Sequence, residues 1–168
     1  VSGAQIRYYK EGTIANNIVY DVPLEGHKDF YLNSREEAST RLGHVQLFRM
    51  LGATPVVFHE NPEDALMIAF GAGMSAGTTA QLVDDVDCVE LNPDIEGVGK
   101  IFKRENLHAL SNPSLEIITN DGRNELLLTE KKYSLIISDA TNPVTLDAWT
   151  IYTKEFYELC KKRLEPGG

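Results

Sequence analysis

Four short apolar runs dominate the second half of the chain: "ALMIAF" from Ala65, "VDCVEL" from Val86, "LEIITN" from Leu115 and "YSLIISD" from Tyr133. Each is too short for a helix. None shows the strict polar alternation of a half-exposed strand, so each reads as a strand covered on both faces. Helical stretches separate them. Repeated strand–helix–strand units predict an α/β fold with a parallel sheet and right-handed crossovers. The last helical stretch ends in "LEPGG", where a further strand would be expected. The expectation is therefore a fragment of a longer polypeptide, with the C-terminal strands of the sheet absent from this chain.

The first part has another texture. "QIRYYKEG", "NNIVYDV" and "KDFYLN" are rich in β-branched and aromatic residues and are punctuated by Gly and Asn. They predict an N-terminal β-meander over 1–33, followed by a nucleoside-binding unit over 34–168. Ser34 and Glu37 have capping-box spacing and predict a helix start. Leu42, Val45, Phe48 and Leu51 supply its apolar face, and Gly52 its stop. Asn92 and Pro93 read as the N-cap and first residue of a helix running towards Phe102. Trp149, Tyr152, Phe156, Leu159 and Leu164 mark a last amphipathic helix, and the aromatic residues among them read as core.

Composition narrows the partners. A formal net charge of −9 over 168 residues argues against nucleic acid, which needs clustered Lys and Arg. The pair Lys131–Lys132 reads as a solvated turn. No apolar run is long enough to span a bilayer, and the N-terminus lacks a signal-peptide pattern. Cys88 and Cys160 lie in apolar patterns and read as reduced core residues, which fits a cytoplasmic setting. His27, His59 and His108 have no spacing that suggests a metal site, and no metal is expected.

Ligands of open α/β sheets sit beyond the carboxyl ends of the strands. "GAGMSAG" occupies that place after the first parallel strand. Gly71 and Gly73 allow a tight turn and close backbone approach to a ligand. Glu90 ends the next strand, where a carboxylate can accept from ribose hydroxyls. Gly71, Gly73 and Ala76 satisfy the loose G-x-G-x-x-A dinucleotide pattern. They suit an S-adenosylmethionine loop equally well, and with Glu90 at the end of the next strand a ligand loop is favoured over a bare strand-to-helix turn. Asn120 and Asp121 end the third strand, where a short acid or amide can accept from an adenine amino group. With "LEPGG", they favour S-adenosylmethionine-type ligands over NAD. Asp139 ends the fourth strand, a position from which an acid can also cap the following turn.

Taken in order, the meander, "ALMIAFGAGMSAG", "VDCVELNP", "ITNDGR", "IISDATNP", "YTKEFY" and "LEPGG" resemble the spermidine synthase (polyamine aminopropyltransferase) family. The similarity is greatest to divergent spermidine-synthase-like domains often fused to membrane transporters. It implies a class I S-adenosylmethionine-dependent methyltransferase-like (Rossmann-like) sheet behind a small β-domain, and homodimers are common in the family. It also implies decarboxylated S-adenosylmethionine as co-substrate and transfer of its aminopropyl group to an amine. By this resemblance Gly71, Ala72 and Gly73 belong to the nucleoside loop, Glu90 holds the ribose, Asp121 with Asn120 reaches the adenine, and Asp139 is the general base. Polyamines are protonated at neutral pH, and only a neutral amine can displace a thioether from a sulfonium. A carboxylate beside the nucleophile can take that proton.

Three family acids are missing. The pattern G-G-G-D-G-G aligns with residues 69–74 and puts Ala72 at its acid. Y-x-E aligns with His44, Val45 and Gln46, so an amide replaces the amine-binding glutamate. D-S-T-D-P aligns with residues 139–143, and the second acid becomes Asn142. His44, Gln46 and Asn142 are thus the candidate acceptor-site residues, and the acceptor is expected not to be an ordinary polyamine. A methyltransferase using intact S-adenosylmethionine stays open, because the acid missing at Ala72 would repel a methionine carboxylate. A non-catalytic nucleoside-binding module also stays open. If the charge at 142 alone carries polyamine recognition, Asn142→Asp should tighten spermidine binding by about tenfold in titration calorimetry. No gain would mean that recognition has diverged elsewhere.

Overall fold

The computed structural model describes residues 3–140 and 148–168. The N-terminal part is an antiparallel sheet of β1 (Gln5–Glu11), β2 (Asn16–Val22), β3 (His27–Leu32) and β4 (Arg35–Ser39), paired in that order. The fourth strand lies where the capping-box spacing predicts a helix. Asn33 and Ser34 both have positive φ, 47° and 69°, as a two-residue type I′ hairpin turn requires. Leu32 pairs with Arg35 to close the turn, and Asn33 Oδ1 accepts from the Asn16 N–H at 2.9 Å. Ser34 is therefore a turn residue, and Glu37 lies in a strand.

Helix α1 (Leu42–Phe58) follows. Its buried line is Phe48, Gly52 and Val56, whereas Leu42 is exposed. Gly52 is a contact point and not a stop: a side chain there would overlap the Ser75 carbonyl of the next helix. The helix runs six residues further, with Pro55 inside its last turn.

The second sheet is parallel. It comprises β5 (Asp64–Ile68), β6 (Asp85–Glu90), β7 (Leu115–Thr119) and β8 (Leu135–Ser138), in the order β7-β6-β5-β8. Residues 65–68 and 86–90 are buried throughout, as continuous apolar runs predict. Ala65 and Met67 pack on one face with Phe48 and Val56 of α1 and Met74 and Ala76 of α2 (Met74–Thr79). Leu66 and Ile68 pack on the other with Leu126 of α4 (Gly122–Leu128) and Phe156 of α5 (Lys154–Arg163). The helix α3 (Glu96–Ile101) lies between β6 and β7. Asn92 Oδ1 accepts from the Asp94 N–H at 3.1 Å as an N-cap would, but only a turn follows before α3 begins.

Two sequence expectations shift in this half. Trp149 and Tyr152 lie in a short 3-10 turn before α5 and are exposed, while Ile151 and Phe156 enter the core. Lys131 is no solvated turn: its Nζ sits 2.9 Å from both Asp85 and Asp87 at the start of β6. Cys88 and Cys160 are free, and burial pushes the Cys160 thiol up to about 11. No helix among the described residues is long and apolar enough to cross a membrane.

The two sheets meet at buried amides. Asn92 Nδ2 donates to Asn17 Oδ1 at 2.8 Å, and both residues are buried. Elsewhere in the core, α2 lies so close to the segment after α3 that only hydrogen fits at Gly77. A Cβ there would overlap the Asn106 carbonyl and stand 3.0 Å from the Ala109 Cβ. Gly77→Ala should therefore cost about 1–3 kcal/mol, read as a lower urea midpoint at unchanged slope. An unchanged midpoint would contradict the contact.

Candidate functional site

β5 is followed in sequence by β6 and β7 on one side, while β8 joins its other edge. The topological switch point, where ligands of such sheets bind, is therefore at the carboxyl ends of β5 and β8. The chain leaves β5 through a strained turn. Ala69, Gly71 and Gly73 all have positive φ, 74°, 55° and 81°. Glycine accepts this freely, whereas alanine does so at a cost of about 1–2 kcal/mol.

Two buried side chains hold the turn. Glu90, at the end of β6, accepts at Oε2 from the Phe70 N–H at 2.8 Å and the Gly71 N–H at 3.4 Å. Its Oε1 accepts from the Asn92 N–H at 2.7 Å. Asn106 donates through Nδ2 to the carbonyls of Ala72, 3.0 Å, and Gly99, 2.9 Å. At Gly71 a Cβ would meet no described atom within 4 Å, so the turn presents bare backbone to open space.

That space is a cavity of about 440 Å³, within the range of small-molecule sites. Gly71, Ala72, Glu90, Asp121 and Asp139 all line it, so five of the residues singled out in the sequence converge. Asp121 also caps α4, its Oδ1 accepting from the Asn124 N–H at 2.9 Å. Gly73 starts α2 with Phe70 packed against it, and Asn120 donates to Glu125 at 2.9 Å; both stand behind the lining.

His44 and Gln46 are not part of the lining. Because β4 delays the helix start, they fall in the exposed first turns of α1. His44 Nε2 lies 3.8 Å from Glu36, and Gln46 is exposed. Asn142 lies outside the described residues. The lining includes instead Phe48 from α1 and Arg35 and Glu37 from β4.

The cavity's charges interact. Burial pushes the Asp139 carboxyl up to about 7, the nearby Ser75 hydroxyl opposes this, and the charges of Glu90 and Glu37 add to it. Neither Asp139 Oδ1 nor Ser75 Oγ has a well-formed hydrogen bond among the described residues. Burial also raises Glu37, against the pull of Arg35, whose Nε lies 3.6 Å from its carboxylate. No group of three or more His, Cys, Asp or Glu suited to a metal ion occurs among the described residues.

An acid held above its unfolded value is destabilising once ionised. Asp139 thus leaves the fold at full stability below about pH 4, the usual carboxyl range, and weakens it as pH rises towards 7. Asp139→Asn should melt a few degrees above the parent protein at pH 8, with the gain gone by pH 4. A shift equal at both pH values would mean that the carboxyl's ionisation is not its source.

The comparisons with known proteins point one way. The Spermine/spermidine synthase domain family matches residues 46–168. A polyamine aminopropyltransferase of Buchnera aphidicola subsp. Acyrthosiphon pisum (strain Tuc7) is 30% identical over 122 residues, covering 71% of this chain and 42% of the relative. One from Korarchaeum cryptofilum is 36% identical over 111 residues, covering 65% and 34%. The chain thus spans less than half the length of these curated relatives. The fold is that of a spermidine synthase solved in complex with the transition-state analogue AdoDATO, at a TM-score of 0.83 and 23% identity, covering 96% of this chain and 55% of that one. From the match across most of its length, this chain belongs to the spermine/spermidine synthase family.

Proposed function

We propose that this chain is the nucleoside-binding and catalytic part of an aminopropyltransferase that uses decarboxylated S-adenosylmethionine and an amine acceptor. The observation that carries the reading is Asp139: a carboxyl at the switch point, lining the cavity and pushed by burial to about 7. An acid of that strength is matched to taking a proton from an ammonium near neutral pH.

The chemistry follows from the residues around it. In this reading Gly71 and Ala72 let the nucleoside approach the backbone, Glu90 receives the ribose hydroxyls, and Asp121 receives the adenine amino group. All four line the cavity. Glu90 arrives already fixed by three backbone N–H groups, so little side-chain entropy is lost when it takes up the ribose. The acceptor amine gives its proton to Asp139. Its lone pair then forms the new C–N bond at the propyl carbon beside the sulfonium. The C–S bond breaks and its electron pair stays on sulfur, leaving a neutral thioether.

With Ala72 where the resemblance expects an acid, the cavity lacks one charge that a long polycation would use. The reading therefore takes a simpler amine as acceptor. The structural neighbour's complex with a transition-state analogue supports a ligand of this general kind in the same fold.

The test is release of 5′-methylthioadenosine from decarboxylated S-adenosylmethionine with a panel of amines. Asp139→Asn should lower kcat by about 10²-fold or more. In the parent protein kcat/KM should rise with pH through about 7, where Asp139 ionises. Absence of turnover with every amine tried would overturn the transferase reading.

A further inference from the structure

Glu37 has capping-box spacing from Ser34 but lies in β4, and it has no role in the mechanism above. Its position has a specific origin. Between β3 and β4, Tyr31 pairs with Glu36 and Phe30 pairs with Ala38, so Glu37 is the extra residue of a β-bulge. A bulge turns one side chain out of the strand's alternation. Here Glu36 joins Tyr31 and Arg41 on the outer side, while Glu37 lines the cavity together with Ala38.

The bulge brings a fourth carboxylate into a mostly apolar space. Glu37, Glu90, Asp121 and Asp139 share the cavity lining with a single guanidinium, that of Arg35, and Asp121 is engaged in capping α4. Glu90 is already satisfied by three backbone donors. Glu37 has only Arg35, at 3.6 Å, and Arg35 is the more exposed of the two, at 39% against 26%. Asp139 Oδ1, shielded from solvent, lacks a partner among the described residues. Carboxylates brought together in this way are stabilised by a cation lodged beside them.

Resting on the aminopropyltransferase reading, we propose that Glu37 receives the terminal ammonium of the aminopropyl donor and makes the cavity select the decarboxylated nucleoside over the intact one. It supplies from the N-terminal sheet the negative charge that the resemblance expects at Ala72, which also lines the cavity. The same charge repels the α-carboxylate of intact S-adenosylmethionine. Selectivity of this kind needs only one charge placed against the wrong ligand.

The experiment is calorimetric titration of the protein and of Glu37→Gln with three nucleosides: decarboxylated S-adenosylmethionine, intact S-adenosylmethionine and 5′-methylthioadenosine, which has no ammonium. The parent protein should bind the decarboxylated form more tightly than the intact one. Glu37→Gln should lose about tenfold to a hundredfold in affinity for the decarboxylated form. It should keep its affinity for methylthioadenosine, which shows that the variant is folded. Unchanged affinity of Glu37→Gln for the decarboxylated form would overturn the role of Glu37 and leave the aminopropyltransferase reading standing. Tighter binding of the intact form by the parent protein would overturn it too, and would assign Arg35 and Glu37 to an amino-acid zwitterion. Failure of the parent protein to bind any of the three would overturn the underlying reading itself.

Discussion

Three backbone N–H groups donated to one buried carboxylate hold the geometry at the centre of this chain. Glu90 ties the turn after β5 to the turn after β6. The turn would not keep its shape unaided, because it carries Ala69 in the left-handed region beside Gly71 and Gly73. Asn106 supports it from behind through the carbonyls of Ala72 and Gly99. These contacts satisfy polar groups that would otherwise be buried unpaired, at a cost of about 1–3 kcal/mol each. They leave the open side of Gly71 free of side chains. A cavity beside bare backbone, at the switch point of a parallel sheet, is the direct result.

The second feature of the site is an unfavourable one. Asp139 is half-buried at the end of β8, near Glu90 and Glu37, and among the described residues only the Ser75 hydroxyl acts to hold its carboxyl down. Nothing in the packing of β8 requires an acid there, and the fold would be more stable without one at neutral pH. Residues in such positions are commonly functional, since a raised carboxyl is what proton transfer near neutral pH uses. In the proposed reaction a sulfonium meets an ammonium, and binding of either cation would relieve the repulsion among the carboxylates.

The N-terminal sheet is more than an appendage. It closes the cavity with residues from β4, and it is fastened to the parallel sheet by the buried pair Asn17 and Asn92. The Asn33–Ser34 turn and the bulge after it set which residues of β4 face inward. A change in either would move Arg35 and Glu37 away from the site without touching any residue of the parallel sheet.

Local pattern was enough to identify the parallel strands, the glycine turn and the acids that end the strands. Apolar runs of strand length, and glycines that release the backbone from steric limits, carry their structural meaning wherever the chain goes. Gly71, Ala72, Glu90, Asp121 and Asp139 were legible for that reason, and they do meet. The same local reasoning misjudged residues 34–52. Ser34 with Glu37 fits a capping box as well as a hairpin turn followed by a strand, and only pairing with β3 decides between them. That pairing moved His44 and Gln46 out of the cavity and Glu37 into it. Gly52, Asn106 and Lys131 were misread or passed over for a related reason: each is defined by a partner at least 23 positions away, Ser75, Ala72 and Asp87. The sequence by itself determined the elements and the chemistry at the strand ends, because these depend on neighbours along the chain. Only the tertiary structure decided which side chains share the cavity, because that depends on strand register and on the close approach of distant backbones.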